Sequence, residues 1–73
     1  MPLRPLTFRE VKRRLEAANF TQVHQRGSHV KFDKQTELGF RTASIPNHRE
    51  IAVGTIRSIL RQAGISADEF ENL

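Results

Sequence analysis

The chain has 73 residues, with 12 Lys or Arg, 8 Asp or Glu and a formal net charge of +4. This length predicts one small domain over residues 1–73 with a modest core. The absence of cysteine excludes disulfides and thiolate metal sites. There is neither an apolar run of roughly 20 residues, as a membrane helix needs, nor an N-terminal stretch apolar enough for a signal peptide. We therefore expect a soluble cytoplasmic protein that binds no membrane.

The positive charge is concentrated in one part of the chain. Residues 1–65 hold all twelve basic residues and five acidic ones, whereas residues 66–73 hold three acidic residues and no basic one. A surface with such an excess attracts polyanions. The charge favours nucleic acid or another polyanion as partner, the alternative being the basic surface common in small soluble proteins.

The first predicted element is a helix that begins after Thr7. Thr7 and Glu10 have the spacing of a capping box, and Leu6 and Val11 have that of a hydrophobic staple. Apolar residues recur at helical spacing through Phe8, Val11, Leu15 and Ala18. Asn19 is suited to end this helix, because asparagine tolerates the left-handed backbone conformation found at helix C-termini. The basic residues of this helix (Arg9, Lys12, Arg13 and Arg14) are interspersed with Glu10 and Glu16, which is typical of a solvated face.

A β-hairpin is predicted next, with strands in residues 20–26 and 29–33 joined by Gly27-Ser28. The Gly-Ser pair favours a type II′ turn, in which glycine takes the positive φ. This turn pairs Arg26 with His29, Gln25 with Val30, His24 with Lys31 and Val23 with Phe32. Because side chains alternate between the faces of a strand, the core face is expected to carry Val23, Val30 and Phe32. The opposite face is expected to carry His24, Arg26, His29 and Lys31.

The remaining elements are a third strand and two helices. A turn at Gly39 leads to a strand over residues 41–46, with Ala43 and Ile45 pointing inward. A second helix is predicted over residues 51–64, ending at Gly64, and a last short helix begins at Ser66. Together they predict an α+β fold of order α-β-β-β-α, a three-stranded antiparallel sheet with the helices on one face. The other sheet face is then open to water.

His29 is the main candidate for chemistry. Histidine changes charge near neutral pH and suits general acid–base work on a phosphodiester, although an exposed strand histidine is more often only polar. Arg26 would lie beside it, because facing Cβ atoms are roughly 4.5–5.5 Å apart. His24 and His48 are weaker, auxiliary candidates.

Other kinds of site have less support. The three histidines lack the ligand spacing of a metal site, so we expect no metal and no cofactor. Arg57 and Arg61 are four residues apart on one exposed side of the second helix. They have no acidic neighbour within a turn on their C-terminal side, which favours phosphate binding there.

Three segments resemble one known family. "GSHVKF" at 27–32, "IPNH" at 45–48 and "GTIRSILRQAGIS" at 54–66 are similar to the HicA family of bacterial toxins. The resemblance implies a fold like the double-stranded RNA-binding domain and an RNase that cleaves mRNA and halts translation. It also implies a HicB-type antitoxin as partner, and it makes His29 the essential histidine.

The resulting hypothesis is a metal-independent endoribonuclease. His29 would take the proton from a ribose 2′-hydroxyl, and the RNA-binding residues would be Arg26, Ser28, Lys31, Arg57 and Arg61. The acid for the leaving group stays open among His24, His48, Lys31 and water. Two alternatives remain: a non-catalytic RNA-binding module, and an interaction protein whose basic face pairs with an acidic partner.

Overall fold

The structure is a computed structural model that describes residues 3–73. It contains three helices and three strands in the order α1 (Phe8–Ala17), β1 (Thr21–Arg26), β2 (His29–Thr36), β3 (Gly39–Pro46), α2 (Val53–Ala63) and α3 (Ala67–Glu71). The strands form one antiparallel sheet in the order β1-β2-β3. The predicted α+β class and the order of the elements are confirmed.

The helices cover one face of the sheet, as expected. Val30, Phe32, Ala43 and Ile45 point to this face and are almost fully buried. They form one apolar cluster with α1 and α2, to which Val11, Leu15, Ile56 and Ile59 contribute. The opposite sheet face carries no helix among the described residues, and below it is called the open face.

Strand β1 differs from the prediction at Val23. The register shifts between Gln22 and His24, so that Gln22 instead of Val23 lies opposite Phe32. A bulge adds one residue to a strand without a partner. Val23 is this extra residue and is 50% exposed, so its predicted core position was wrong.

The boundaries of three later elements also differ. Strand β2 extends to Thr36, three residues beyond its predicted end at Asp33. Strand β3 begins at Gly39, after a two-residue turn at Glu37-Leu38, and so includes Phe40 opposite Gln35. Helix α2 begins at Val53, two residues later than predicted. The backbone of Ile51 instead forms two hydrogen bonds with that of Leu6, of 3.1 and 2.7 Å. Ile51 thus ties the segment before α1 to the segment before α2.

The predicted C-terminal ends of α1 and α2 and the predicted start of α3 have the expected geometry. Asn19 has φ 74°, in the left-handed region, and Gly64 has φ 70° at the end of α2. The Ser66 hydroxyl accepts a hydrogen bond of 3.1 Å from the Glu69 N–H at the start of α3. These ends follow from local backbone chemistry and needed no tertiary information.

The start of α1 forms half of the predicted capping box. Thr7 Oγ1 accepts a hydrogen bond of 3.1 Å from the Glu10 N–H. The Glu10 carboxylate does not return to Thr7; it accepts bonds from Arg13 Nη2 at 2.6 Å and Arg14 Nε at 2.8 Å. Two guanidinium donors are stronger partners for a carboxylate than one backbone N–H.

Arg14 is buried, contrary to its predicted place on a solvated face. Its residue exposure is 8%, and its guanidinium lies 4.9 Å from the centroid of the Phe70 ring. Its Nη1 donates to the Phe70 carbonyl at 3.3 Å. Arg14 therefore connects α1 to α3. Its buried charge is stabilised by the Glu10 carboxylate on α1 and by the carbonyl and ring of Phe70 on α3.

The Glu10 carboxylate makes folding dependent on pH. Hydrogen bonds from Arg13 and then Arg14 lower the pKa of Glu10 from 4.5 to about 2. Because the folded pKa is depressed, this stabilisation is complete above pH 4.5 and is lost as the pH falls toward about 2. We expect Glu10→Gln to lower the free energy of urea unfolding near neutral pH, and this deficit to shrink across that window. Glu16→Gln, at an exposed position of the same helix, is the control, and a deficit independent of pH would contradict the assignment.

Candidate functional site

The turn between β1 and β2 has the geometry that its sequence predicts. Gly27 has φ 60°. Among residues 3–73, Asn19 is the only non-glycine residue with positive φ, so Ser28 has a negative one. Positive φ at the first central position alone is the type II′ pattern. The Gln25 amide donates to the Gly27 carbonyl at 3.2 Å and supports the turn.

This turn brings four polar residues together on the open face. Arg26 lies opposite His29, and His24 lies opposite Lys31. Facing residues of a pair share one face, and Val30 between them points into the core. All four side chains are exposed. We call His24, Arg26, His29 and Lys31 the basic face.

The chain after β3 approaches the same end of the sheet. His29 lies opposite Pro46, and the Asn47 N–H donates to the Ser28 carbonyl. The His48 N–H donates to the Pro46 carbonyl at 2.9 Å, which makes a tight turn next to the basic face. His48 is exposed and lies at the end of the sheet that carries His29. Ser28 and His48, from distant parts of the sequence, therefore flank the basic face.

Arg57 and Arg61 lie elsewhere. They line a cavity of about 300 Å³ with Leu3, Leu60, Ile65 and Ala67 on the helical layer. Helix α2 packs against the core face of the sheet through Ile56 and Ile59, so the sheet and the core separate these arginines from the basic face. The structure does not bring them next to His29, and the two cationic surfaces are distinct.

Other parts of the described chain offer no comparable site. A concavity of about 430 Å³ beside α1 is lined by residues of both charge signs (Thr7, Arg9, Glu10, Lys12, Arg13 and Glu16). Within residues 3–73, no three His, Asp or Glu side chains are grouped as a metal ion would need. None of the helices described is long and apolar enough to cross a membrane. The basic face is thus the best candidate for chemistry on an anionic substrate.

The open face also carries residues that were not predicted there, among them Asp33, Thr42 and Phe40. Asp33 and Thr42 lie opposite each other next to Lys31, with Thr42 Oγ1 donating to Asp33 Oδ1 at 2.8 Å. Phe40 lies further along β3 and is 72% exposed. Alternation back from the buried Ala43 would have placed Thr42 and Phe40 on this face, had the strand been extended to Gly39.

Comparison with known proteins gives one family. A family model described as the HicA toxin of bacterial toxin–antitoxin pairs matches residues 8–65. The matched range includes α1, the whole sheet, the basic face and α2, and it ends before α3. A search of curated proteins gave no match.

Proposed function

The chain belongs to the HicA family, the toxins of bacterial toxin–antitoxin pairs, and from this premise we propose that it is a metal-independent endoribonuclease that cleaves mRNA. The observation that carries the proposal is the position of His29. It is exposed on the open face, directly opposite Arg26 and two residues from Lys31. A proton-transferring group and two cations are thereby available to one phosphodiester.

Three members of the basic face have assigned roles in the proposed reaction. His29 removes the proton from a ribose 2′-hydroxyl, and the 2′-oxygen attacks the adjacent phosphorus. The bond from phosphorus to the 5′-oxygen breaks, which leaves a 2′,3′-cyclic phosphate and a 5′-hydroxyl end. Arg26 and Lys31 stabilise the negative charge that develops on the phosphoryl oxygens. The proton that the 5′-oxygen takes up comes from His24, His48, Lys31 or water.

The proposed RNA-binding residues also include Ser28, Arg57 and Arg61, which lie at different distances from His29. Ser28 adjoins His29 in the turn and is exposed, which supports its proposed contact with the same nucleotide. Arg57 and Arg61, on the helical layer, serve only an RNA long enough to pass around the domain. Their loss is therefore expected to weaken binding of long RNA more than that of a short oligonucleotide.

The family also implies a protein partner, because its members act in toxin–antitoxin pairs. We propose a HicB-type antitoxin that covers the basic face. An acidic surface on the antitoxin would complement Arg26 and Lys31 and displace RNA by occupying the same groups.

The reaction has a direct chemical test. We expect the purified protein to cut RNA in the presence of EDTA and to leave 2′,3′-cyclic phosphate ends, detected by mass spectrometry. A single 2′-deoxy substitution at the mapped cut should abolish that cut, since DNA lacks the attacking hydroxyl. Cleavage that survives the 2′-deoxy substitution would contradict the mechanism.

The cleavage assay, together with a titration of RNA binding at several salt concentrations, separates the alternatives. A non-catalytic RNA-binding module would bind RNA with a steep salt dependence and never cut it. An interaction protein would bind an acidic protein partner tightly and have no affinity for RNA. Only the endoribonuclease gives cyclic phosphate ends.

A further inference from the structure

Phe40 is an aromatic side chain without a role in the core. The rings of Phe20, Phe32 and Phe70 are buried, whereas Phe40 is 72% exposed. It lies opposite Gln35 on the open face, the face that carries His29. A single exposed apolar side chain needs no functional explanation in itself, so the exposure of Phe40 alone assigns it no role. Its place on the face that carries His29 makes it a candidate ligand contact.

The distance between Phe40 and His29 suits a chain-like ligand. Gln35, the partner of Phe40, is six residues from His29 along β2. At about 3.3 Å per residue, the two positions are about 20 Å apart. A small molecule does not bridge this distance, but a few nucleotides of an extended strand do.

The two ends of the open face offer different chemistry. The cations Arg26 and Lys31 lie at the His29 end, where phosphates are attracted. Between the ends, the Asp33 carboxylate, held by Thr42 Oγ1, repels phosphate and favours the edge of a base or a sugar. The far end offers the face of the Phe40 ring, with Glu37 in the neighbouring turn, and so disfavours phosphate as well. A ligand that fits presents a phosphate to the His29 end, base or sugar edges to Asp33, and the flat side of a base to Phe40.

We propose that the open face binds single-stranded RNA, with one base stacked on Phe40 a few nucleotides from the phosphate at His29. The inference rests on the proposed function and adds the substrate class to it. Stacking on an aromatic side chain needs an unpaired base with a free face, because the bases of a duplex already stack on each other. Duplex RNA of the same sequence should therefore bind more weakly.

Tryptophan fluorescence can report this contact, because the chain contains no tryptophan. The probe is a 2′-O-methyl oligoadenylate, which lacks the attacking hydroxyl and is not cut. We expect it to quench the fluorescence of Phe40→Trp, and its duplex with 2′-O-methyl oligouridylate to quench much less. Leu38→Trp is the matched control: Leu38 is 101% exposed, two residues away in the turn between β2 and β3, and should show little quenching. Equal quenching of the two variants would overturn the proposal.

Affinity gives a second readout. Phe40→Leu keeps an apolar side chain but loses the ring, and should weaken single-strand binding on the order of tenfold or more. Phe40→Trp should retain the affinity, and Leu38→Ala should leave it unchanged. Unchanged RNA affinity of Phe40→Leu, with an effect confined to binding of the antitoxin, would show that a protein occupies this position and would overturn the proposal.

The outcome for the stacking site on Phe40 can be distinguished from the outcome for the proposed endoribonuclease. If unmodified RNA is not cut but Phe40→Trp is quenched by the single strand alone, the stacking site stands and the endoribonuclease fails. If RNA is cut with cyclic phosphate ends but Phe40→Leu binds the single strand like wild type, the endoribonuclease stands and the stacking site fails.

Discussion

Replacing His29 with alanine is expected to lower the rate of RNA cleavage by about 10²–10⁴-fold, the usual contribution of a general acid–base group. The side chain is exposed on the open face, and its loss removes no described hydrogen bond. The variant should therefore fold like the wild type and bind uncleavable RNA with little change. The measurement is the single-turnover rate of cleavage with enzyme in excess, together with growth after induction in a bacterium.

Two comparisons make the His29 result specific. Thr21→Ala changes another exposed residue of the open face, opposite Asp33, and should leave cleavage intact. Arg26→Ala should lower both the rate and the affinity, because a cation beside the phosphate acts in binding and in the transition state. Cleavage by His29→Ala at the wild-type rate would refute the mechanism, and growth arrest without RNA decay would favour a toxin that acts by binding.

Replacing Phe70 with alanine is expected to lower the free energy of unfolding by about 3–5 kcal/mol. Phe70 is fully buried, so its loss leaves a cavity between α3 and the core. The change also removes the ring beneath the Arg14 guanidinium, which then lies buried with fewer favourable contacts. A chain of 73 residues has a total stability of about 4–11 kcal/mol, so the expected loss is a large fraction of it.

The control for Phe70 is in the same chain. Phe40→Ala makes the identical chemical change at a position that is 72% exposed, and should change the unfolding free energy by less than about 0.5 kcal/mol. Urea unfolding followed by circular dichroism compares the two variants. If Phe70→Ala does not fold, Phe70→Leu retains part of the apolar contact and should show an intermediate loss. Wild-type stability of both Phe70 variants would mean that α3 does not contribute to the core.

The Phe70 experiment also bears on the extent of the domain. The family model matches residues 8–65 and leaves α3 outside. In the structure, α3 supplies a core side chain and also accepts a hydrogen bond from Arg14 at the Phe70 carbonyl. A large effect of Phe70→Ala would show that this last helix is part of the folding unit.

The amino-acid sequence by itself determined the features that depend on neighbouring residues. Gly27-Ser28 selects one turn type, and the turn pairs Arg26 with His29. The arrangement of the basic face follows from that pairing and from the alternation of side chains, so it was predictable without a structure. The helix ends at Asn19 and Gly64 were predictable for the same reason, since each depends on a local backbone conformation.

The tertiary structure decided the features that depend on contacts between distant segments. A bulge shifts the register of β1 at Val23, because pairing with β2 and not the local pattern places the extra residue. Arg14 is buried because α3, 56 residues further along the chain, folds back to receive it. Arg57 and Arg61 are separated from His29 because α2 packs on the far side of the sheet. The conformations of turns and caps are set by interactions within a few residues. The burial of a side chain depends on how whole helices and strands pack together.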